Sequence, residues 1–190
     1  MERLEKLLRE RCPELELRRD EPMSKHTSFR IGGPAALMAL PGSTEQAQAA
    51  VKAARALGIE PFFLGNGSNL LAADEGYPGF ILKLGGEFDE IKASGGSLEA
   101  GAAVLLSRLS KRALELGLAG LEFAGGIPGS LGGAVTMNAG AYGGEISQNL
   151  LWVCAVDRNG EERNFRTSEC GFSYRKSIFS GGDFLVVEVL

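Results

Sequence analysis

A chain of 190 residues is long enough for one large domain or two small ones with real cores. Hydrophobic residues make up 44% of it and charged residues 23%, and its net charge of -4 argues against a general nucleic-acid binder, which needs a basic surface to neutralise phosphates. Glycine is the unusual component: 27 residues, about 14% against roughly 7% in average usage, clustered between periodic segments where tight turns and ligand loops are expected.

The first predicted element is an amphipathic helix over residues 2–11, with Leu4, Leu7 and Leu8 at helical spacing among charges. Its charged start has no apolar core of a signal peptide, and no apolar run approaches the ~20 residues a membrane helix needs, so a cytoplasmic protein without membrane contact is expected. Thr27–Ile31 reads as extended and is broken by Gly32-Gly33-Pro34, and "LMALP" reads as a short strand. Ser43 and Gln46 form an S-x-x-Q capping box opening a helix that runs to Leu57, with Gly58 as its C-terminal cap. "IEPFFLGNGSNLL" reads as a strand followed by a glycine turn, and "GFILKL" as a further strand.

After Gly85, short strands are expected around Gly95-Gly96. A helix follows with Val104, Leu105, Leu109, Ala113 and Leu116 on one stripe, stopped by Gly117. "LLWVCAVDRNGEERNFRT" has the look of a β-hairpin turning at Asn159-Gly160, with Trp152 in the core. "CGFSYRKSIF" reads as a loop and "DFLVVEVL" as a buried strand. A chain stopping inside an apolar strand suggests a cut at a domain edge.

Two glycine clusters carry the chemistry. "GNGSNLL" (65–71) follows the apolar "PFFL", and consecutive backbone N–H groups in such a turn make a concave anion site that glycine lets a ligand approach. The pattern G-x-G-x-x-L lacks the third glycine of a Rossmann site, and the absence of any Gly-Lys pair excludes a Walker A loop; an ordinary β-turn would read the same way. Gly125–Gly133 cannot be a regular helix or central strand, since Pro128 fixes one φ and its neighbours permit positive φ. Its asset is exposed backbone donors and a flat surface suited to a planar, polar heterocycle; a structural crossover loop is the plainer alternative. The three cysteines, Cys12, Cys154 and Cys170, have no metal-ligand spacing and read as free thiols. His26, the only histidine, reads as a polar surface or loop residue, and Lys111-Arg112 as a solvated helix face.

"TSFRIGGPA", "GNGSNLL", "GLEFAGGIPGSLGGAVTMNAGAYGGEI" and "FSYRKSIF", in this order, closely resemble the UDP-N-acetylenolpyruvoylglucosamine reductase family, flavoproteins of bacterial peptidoglycan synthesis. The resemblance runs from about Lys25 to the end. It implies an α+β, FAD-binding fold of the p-cresol methylhydroxylase and vanillyl-alcohol oxidase type, with subdomains at 1–85 and 86–190 and the third, substrate-binding domain absent. By the same resemblance Gly65, Asn66, Gly67, Ser68 and Asn69 would hold the FAD pyrophosphate with Leu70 nearby. Gly126, Ile127, Pro128, Gly129, Ser130, Gly132, Gly133, Asn138, Ala139 and Gly140 would line the flavin and its ribityl-phosphate arm.

The resemblance also implies that NADPH reduces a non-covalent FAD, which then reduces the enolpyruvyl group of a UDP-sugar. Arg175 matches the family's catalytic arginine and Tyr174 a position touching substrate or NADPH; a permanently charged, planar guanidinium suits a carboxylate and the anion that develops beside it. The family's proton-donating serine and catalytic glutamate would lie past residue 190, which leaves a non-catalytic flavin-binding fragment as one alternative and another flavin oxidoreductase of the same fold as a second. For His26 the lesser alternative to a surface or loop role is a contact with the adenine side of FAD, and a monomer with no bound metal is expected.

Overall fold

The computed structural model describes residues 1–190. Helix α1 (Glu2–Arg11) buries Leu4 and Leu8, four residues apart, and carries acids in its first turn and arginines in its last, each sign favoured by the helix dipole. Strand β1 (Glu16–Pro22) was not signalled by apolar periodicity. It is a charged edge strand, formed by antiparallel pairing with β2 (Pro34–Leu40) and tied to α1 by an Arg19–Glu5 ion pair. Helix α2 (Thr44–Ala56) starts where expected. Ser43 Oγ accepts from Gln46 N at 3.4 Å, while the Gln46 side chain accepts from Gly42 N at 2.8 Å, one residue earlier than a standard capping box.

Strands β3 (Pro61–Phe63) and β4 (Tyr77–Leu82) complete the first sheet, whose order is β1-β2-β4-β3 with β2, β4 and β3 mutually parallel. Residues 27–31 are a turn rather than extended. Arg30 N donates to Thr27 O at 3.1 Å, Thr27 Oγ1 to Ile31 O at 2.9 Å, and Arg30 sits at φ 57°. The turn exists because this segment docks on the first glycine loop, where Ser28 N donates to Gly67 O at 3.1 Å.

The second sheet is built from β5 (Ile91–Ser94), β6 (Ser97–Gly101), β9 (Trp152–Asp157), β10 (Glu162–Arg166) and β11 (Phe184–Val189), antiparallel in the order β10-β9-β11-β6-β5. Between them lie helices α3 (Leu106–Glu115) and α4 (Leu131–Thr136) and the small ribbon of β7 (Gly140–Ala141) and β8 (Gly144–Glu145). The Asn159-Gly160 hairpin is present, fixed by the buried Asp157 carboxylate, which accepts from Asn159 N at 2.8 Å and Glu161 N at 3.0 Å.

Three expectations are corrected here. Leu105 and Leu116 are off the buried stripe of α3, each 41% exposed; the helix begins at Leu106, two residues after Val104, and Leu106, Leu109 and Ala113 face the core. Leu105 is held extended instead by a bridge to Ser130. The second glycine cluster does contain a helix, since α4 takes in Leu131, Gly132 and Gly133. Its reason is close packing, because a Cβ on Gly132 would lie 2.8 Å from the Ala102 side chain. Trp152 is half-buried at the edge of the core rather than inside it.

The central strands divide two cores. Val153, Ala155, Val186 and Val189 face α3 and α4, whereas Cys154, Val156, Leu185 and Val187 face α1, α2 and the first sheet. Alternation along a strand produces this split, and a bulge between Val186 and Glu188 resets the register. All three cysteines are free; burial pushes the thiols of Cys154 and Cys170 up to about 12 and about 11, so neither is a nucleophile at neutral pH. No helix is long and apolar enough to cross a membrane.

Candidate FAD site

A cavity of about 420 Å³ lies between the loop after β3, helix α4, and the start of β11. Its size falls in the range of small-molecule sites. The first glycine loop forms one wall. Leu64 N still continues the ladder to Leu82 O at 2.9 Å, and the chain then reverses. Every backbone N–H from Gly65 to Leu70 is without an acceptor in the protein, the arrangement that offers a row of donors to an anion. At Gly67, φ is +64° and an added Cβ would stand 1.9 Å from the His26 carbonyl oxygen, so only glycine fits there. At Gly65 an added Cβ would meet Ser130 Oγ at 2.6 Å, and Asn66 Nδ2 donates to Pro128 O at 3.2 Å. The Asn66–Pro128 bond joins the two glycine clusters across 62 residues of chain.

The structure brings Gly65, Asn66, Gly67, Ser68, Asn69 and Leu70 to the cavity, together with Ile127, Gly129, Ser130, Gly132, Gly133 and Ala139. Gly126, Pro128, Asn138 and Gly140 do not line it. Asn138 is a bracket instead: buried, at φ 44°, it donates to Glu145 at 2.9 Å and Ser173 O at 3.2 Å and accepts from Ser147 N at 3.2 Å. The second cluster also offers fewer donors than its composition suggests. The amides of Gly129, Leu131 and Gly132 are taken by Ile127 O, Val104 O and Ala102 O. Its contribution is a wall poor in side chains.

Tyr174 and Arg175 lie outside the cavity lining, at the tip of a turn closed by paired Ser173–Lys176 backbone bonds of 3.0 and 3.1 Å. Tyr174 is 86% exposed, and Arg175, at φ 57°, is exposed and makes no ion pair. Asn138 holds Ser173, and Ser177 Oγ donates to Thr136 O at 2.7 Å, so the turn is anchored to the C-terminal end of α4, which does line the cavity.

The sequence did not signal several lining residues: Phe62, Lys83, Thr136, Met137, Phe179 and Phe184. A lysine inside the apolar run "FILKL" was the one available hint. His26 lies in a turn, one of the two expected settings, but is not at the surface: it is 8% exposed, because it bridges two charged groups. Lys83 Nζ donates to His26 Nδ1 at 3.1 Å, and His26 Nε2 donates to Glu21 Oε1 at 3.0 Å. Burial, helped by the charge of Lys83, holds the imidazole below its ordinary range against the pull of Glu21. Burial raises the Glu21 carboxyl, but hydrogen bonds from His26 and Arg18 and the Lys25 and Arg18 charges outweigh it and leave it low.

Both shifts are depressions, so the stability these groups contribute is present above their unfolded values and is lost as pH falls. Below about pH 6.5 the unfolded chain takes up a proton on His26 that the folded chain resists. The melting temperature should therefore drop between about pH 7.5 and 5.5 in the parent, and drop less in His26→Gln. Parallel curves for the two proteins would remove His26 from the acid response.

The FAD binding domain family matches residues 35–166. The chain belongs to this family. It is an α+β member of the fold shared with p-cresol methylhydroxylase-type flavoproteins, as the sequence led us to expect. Two curated relatives are a UDP-N-acetylenolpyruvoylglucosamine reductase of Alkaliphilus oremlandii, 42% identical over 90% of the chain and 56% of the relative, and one of Syntrophomonas wolfei, 45% identical over 90% and 57%. The crystal structure of UDP-N-acetylenolpyruvylglucosamine reductase from Thermus caldophilus superposes with a TM-score of 0.77 at 35% identity, covering 93% of this chain and 60% of that one. Phl p 4.0202, a glucose dehydrogenase, shares the fold alone, with a TM-score of 0.68 at 16% identity over 98% of this chain and 43% of its own. The chain thus spans a little over half the length of the curated relatives it matches.

Proposed function

We propose that this chain is the FAD-binding portion of a cytoplasmic, monomeric, NADPH-dependent reductase acting on the enolpyruvyl group of UDP-N-acetylglucosamine enolpyruvate, a step of peptidoglycan synthesis. We divide it into subdomains 1–85 and 86–190; the greater length of its relatives leaves room for a substrate-binding domain. One observation carries the reading: a row of backbone N–H groups without acceptors, Gly65 to Leu70, in a loop that lines a cavity in a chain of the FAD binding domain family. The residues present fit the cofactor, since Gly67 and Gly65 have no room for a Cβ and the opposite wall is the side-chain-poor face of α4.

FAD, held without a covalent bond, would relay a hydride from NADPH to the substrate. Gly65 to Asn69 bind its pyrophosphate through backbone N–H groups, and Leu70 packs beside them. Ile127, Gly129, Ser130, Gly132, Gly133 and Ala139 exclude water from the flavin, while Gly126, Pro128, Asn138 and Gly140 hold the shape of that wall. Arg175, free of any acidic partner on its anchored turn, clamps the substrate carboxylate and stabilises the negative charge that develops next to it, with Tyr174 bordering the substrate or NADPH.

The test is titration of the apo-protein with FAD: it should turn yellow, and denaturation should release the flavin intact. Protein that gains no FAD would sink the cofactor reading. In a longer chain that carries the remaining length of the relatives, Arg175→Lys should lower turnover by about 10²–10³-fold, the usual effect of removing a group that stabilises developing charge. FAD affinity should stay within about twofold. Unchanged turnover would remove Arg175 from the chemistry.

A further inference from the structure

Lys83 is the only ionisable residue lining the cavity. It stands one residue past the Phe63–Leu82 pair of the parallel β3–β4 ladder, which puts it opposite Leu64 and directly beneath the first glycine loop. The residues before it, Phe80, Ile81 and Leu82, are fully buried, and its own ammonium has no carboxylate within ion-pair distance. The nearest acid, Glu21, is reached only through His26 and is already matched by Arg18 at 3.2 Å and Lys25 at 3.8 Å. A cation so placed is unfavourable unless something neutralises it. Burial and the charge of Arg18 accordingly push the Lys83 ammonium below its ordinary range, against the smaller pull of Glu21.

The neighbours nevertheless hold it there. Glu21 accepts from His26 Nε2, which fixes the tautomer whose Nδ1 lone pair receives Lys83. That uses one of three ammonium donors. The backbone of the same His26 packs against Gly67, so the lysine's anchor and the loop of unmatched N–H groups are one assembly.

We propose that Lys83 is the counter-charge for the phosphates of the bound dinucleotide, held at the cavity wall by the His26–Glu21 pair. This rests on the FAD reading above. Backbone N–H groups supply partial charges only, and the rest of the lining is uncharged, whereas a pyrophosphate carries full negative charge.

The experiment titrates apo-protein with FAD and, in parallel, with riboflavin, which has the ring but no phosphate, following flavin fluorescence from about 20 to about 500 mM salt. Lys83→Met should weaken FAD binding about 10–100-fold and leave riboflavin within about twofold; Lys83→Arg should stay within about threefold of the parent for FAD. The parent's FAD affinity should also fall more steeply with salt than that of Lys83→Met. Should Lys83→Met fail to fold, Lys83→Gln takes its place with the same expected loss. FAD binding by the parent with an unchanged affinity and salt slope in the neutral variants would overturn the role of Lys83 alone. So would equal losses for FAD and riboflavin, which would make Lys83 a matter of cavity shape. No FAD binding by the parent would overturn the cofactor reading itself.

Discussion

Replacing Phe179 with alanine should destabilise this fold by about 3–5 kcal/mol, the range for truncating a buried aromatic ring. Phe179 is 2% exposed and sits edge-on to Phe165 and Phe184, with ring centroids 5.5 and 6.0 Å away. Phe165 and Phe184 also meet each other edge-on at 5.2 Å, so the three rings form one closed cluster. Truncation would open a void that rigid strands on either side, β10 and β11, are poorly able to close. At roughly 2–4 °C per kcal/mol for a chain of this size, the melting temperature should fall by about 6–20 °C. Phe62→Ala is the comparison, because Phe62 also lines the cavity but is 40% exposed on the edge strand β3. Its loss should be below about 1 kcal/mol, as for most changes outside the core. Thermal denaturation of the two variants separates burial in the aromatic cluster from mere contact with the cavity, and similar shifts in both would defeat the assignment.

The contrast between those two phenylalanines shows where sequence reasoning reaches and where it stops. Both lie in apolar runs of similar look, "PFFL" and "SIF"; the sheet order leaves Phe62 on an edge strand, whereas Phe179 is buried from a turn by the rings of Phe165 and Phe184. Elements whose signal is local were legible: the Leu4–Leu8 face of α1, the Ser43 cap of α2, the Asn159-Gly160 hairpin and the apolar β11. Strand β1 was not, since Glu16, Arg18, Arg19 and Glu21 carry no alternation and its order comes from its partner β2 and from ion pairs. Helix α4 was hidden for a related reason. Glycines disfavour a helix locally, and only Ala102, in the turn after β6, explains why Gly132 belongs in one. The phosphate-loop candidate was legible because a turn's chemistry is written in consecutive residues. Lys83 and His26 were not, because the parallel β3–β4 pairing and the fold-back of residues 23–30 bring them together from 57 residues apart.

That same fold-back makes Gly67 the most exacting position of the site. Gly67→Ala should lower stability by about 2–5 kcal/mol, combining the strain of a side chain at left-handed φ with the overpacking of a tight contact. The clash is with backbone, not a movable side chain: the His26 carbonyl oxygen would lie 1.9 Å from the new Cβ and Thr27 Cα 3.0 Å from it. Relief requires residues 26–28 to move off the loop, which breaks the Ser28 N to Gly67 O bond and disturbs the His26 ring that holds Lys83. The loop's backbone would then shift, and FAD affinity should fall by about a hundredfold, the loss of one or two hydrogen bonds to a charged group. Gly58→Ala isolates the conformational part, since Gly58 has almost the same φ, +65°, with no atom within 4 Å of an added Cβ. It should lose only about 1–2 kcal/mol and keep its FAD affinity. Denaturation midpoints and FAD titrations on both variants decide the matter. If Gly67→Ala behaves like Gly58→Ala in both measurements, the approach of His26 to the loop does not govern the site; a loss confined to Gly67→Ala means that the backbone contact, rather than glycine's freedom alone, sets the geometry in which the cofactor is held.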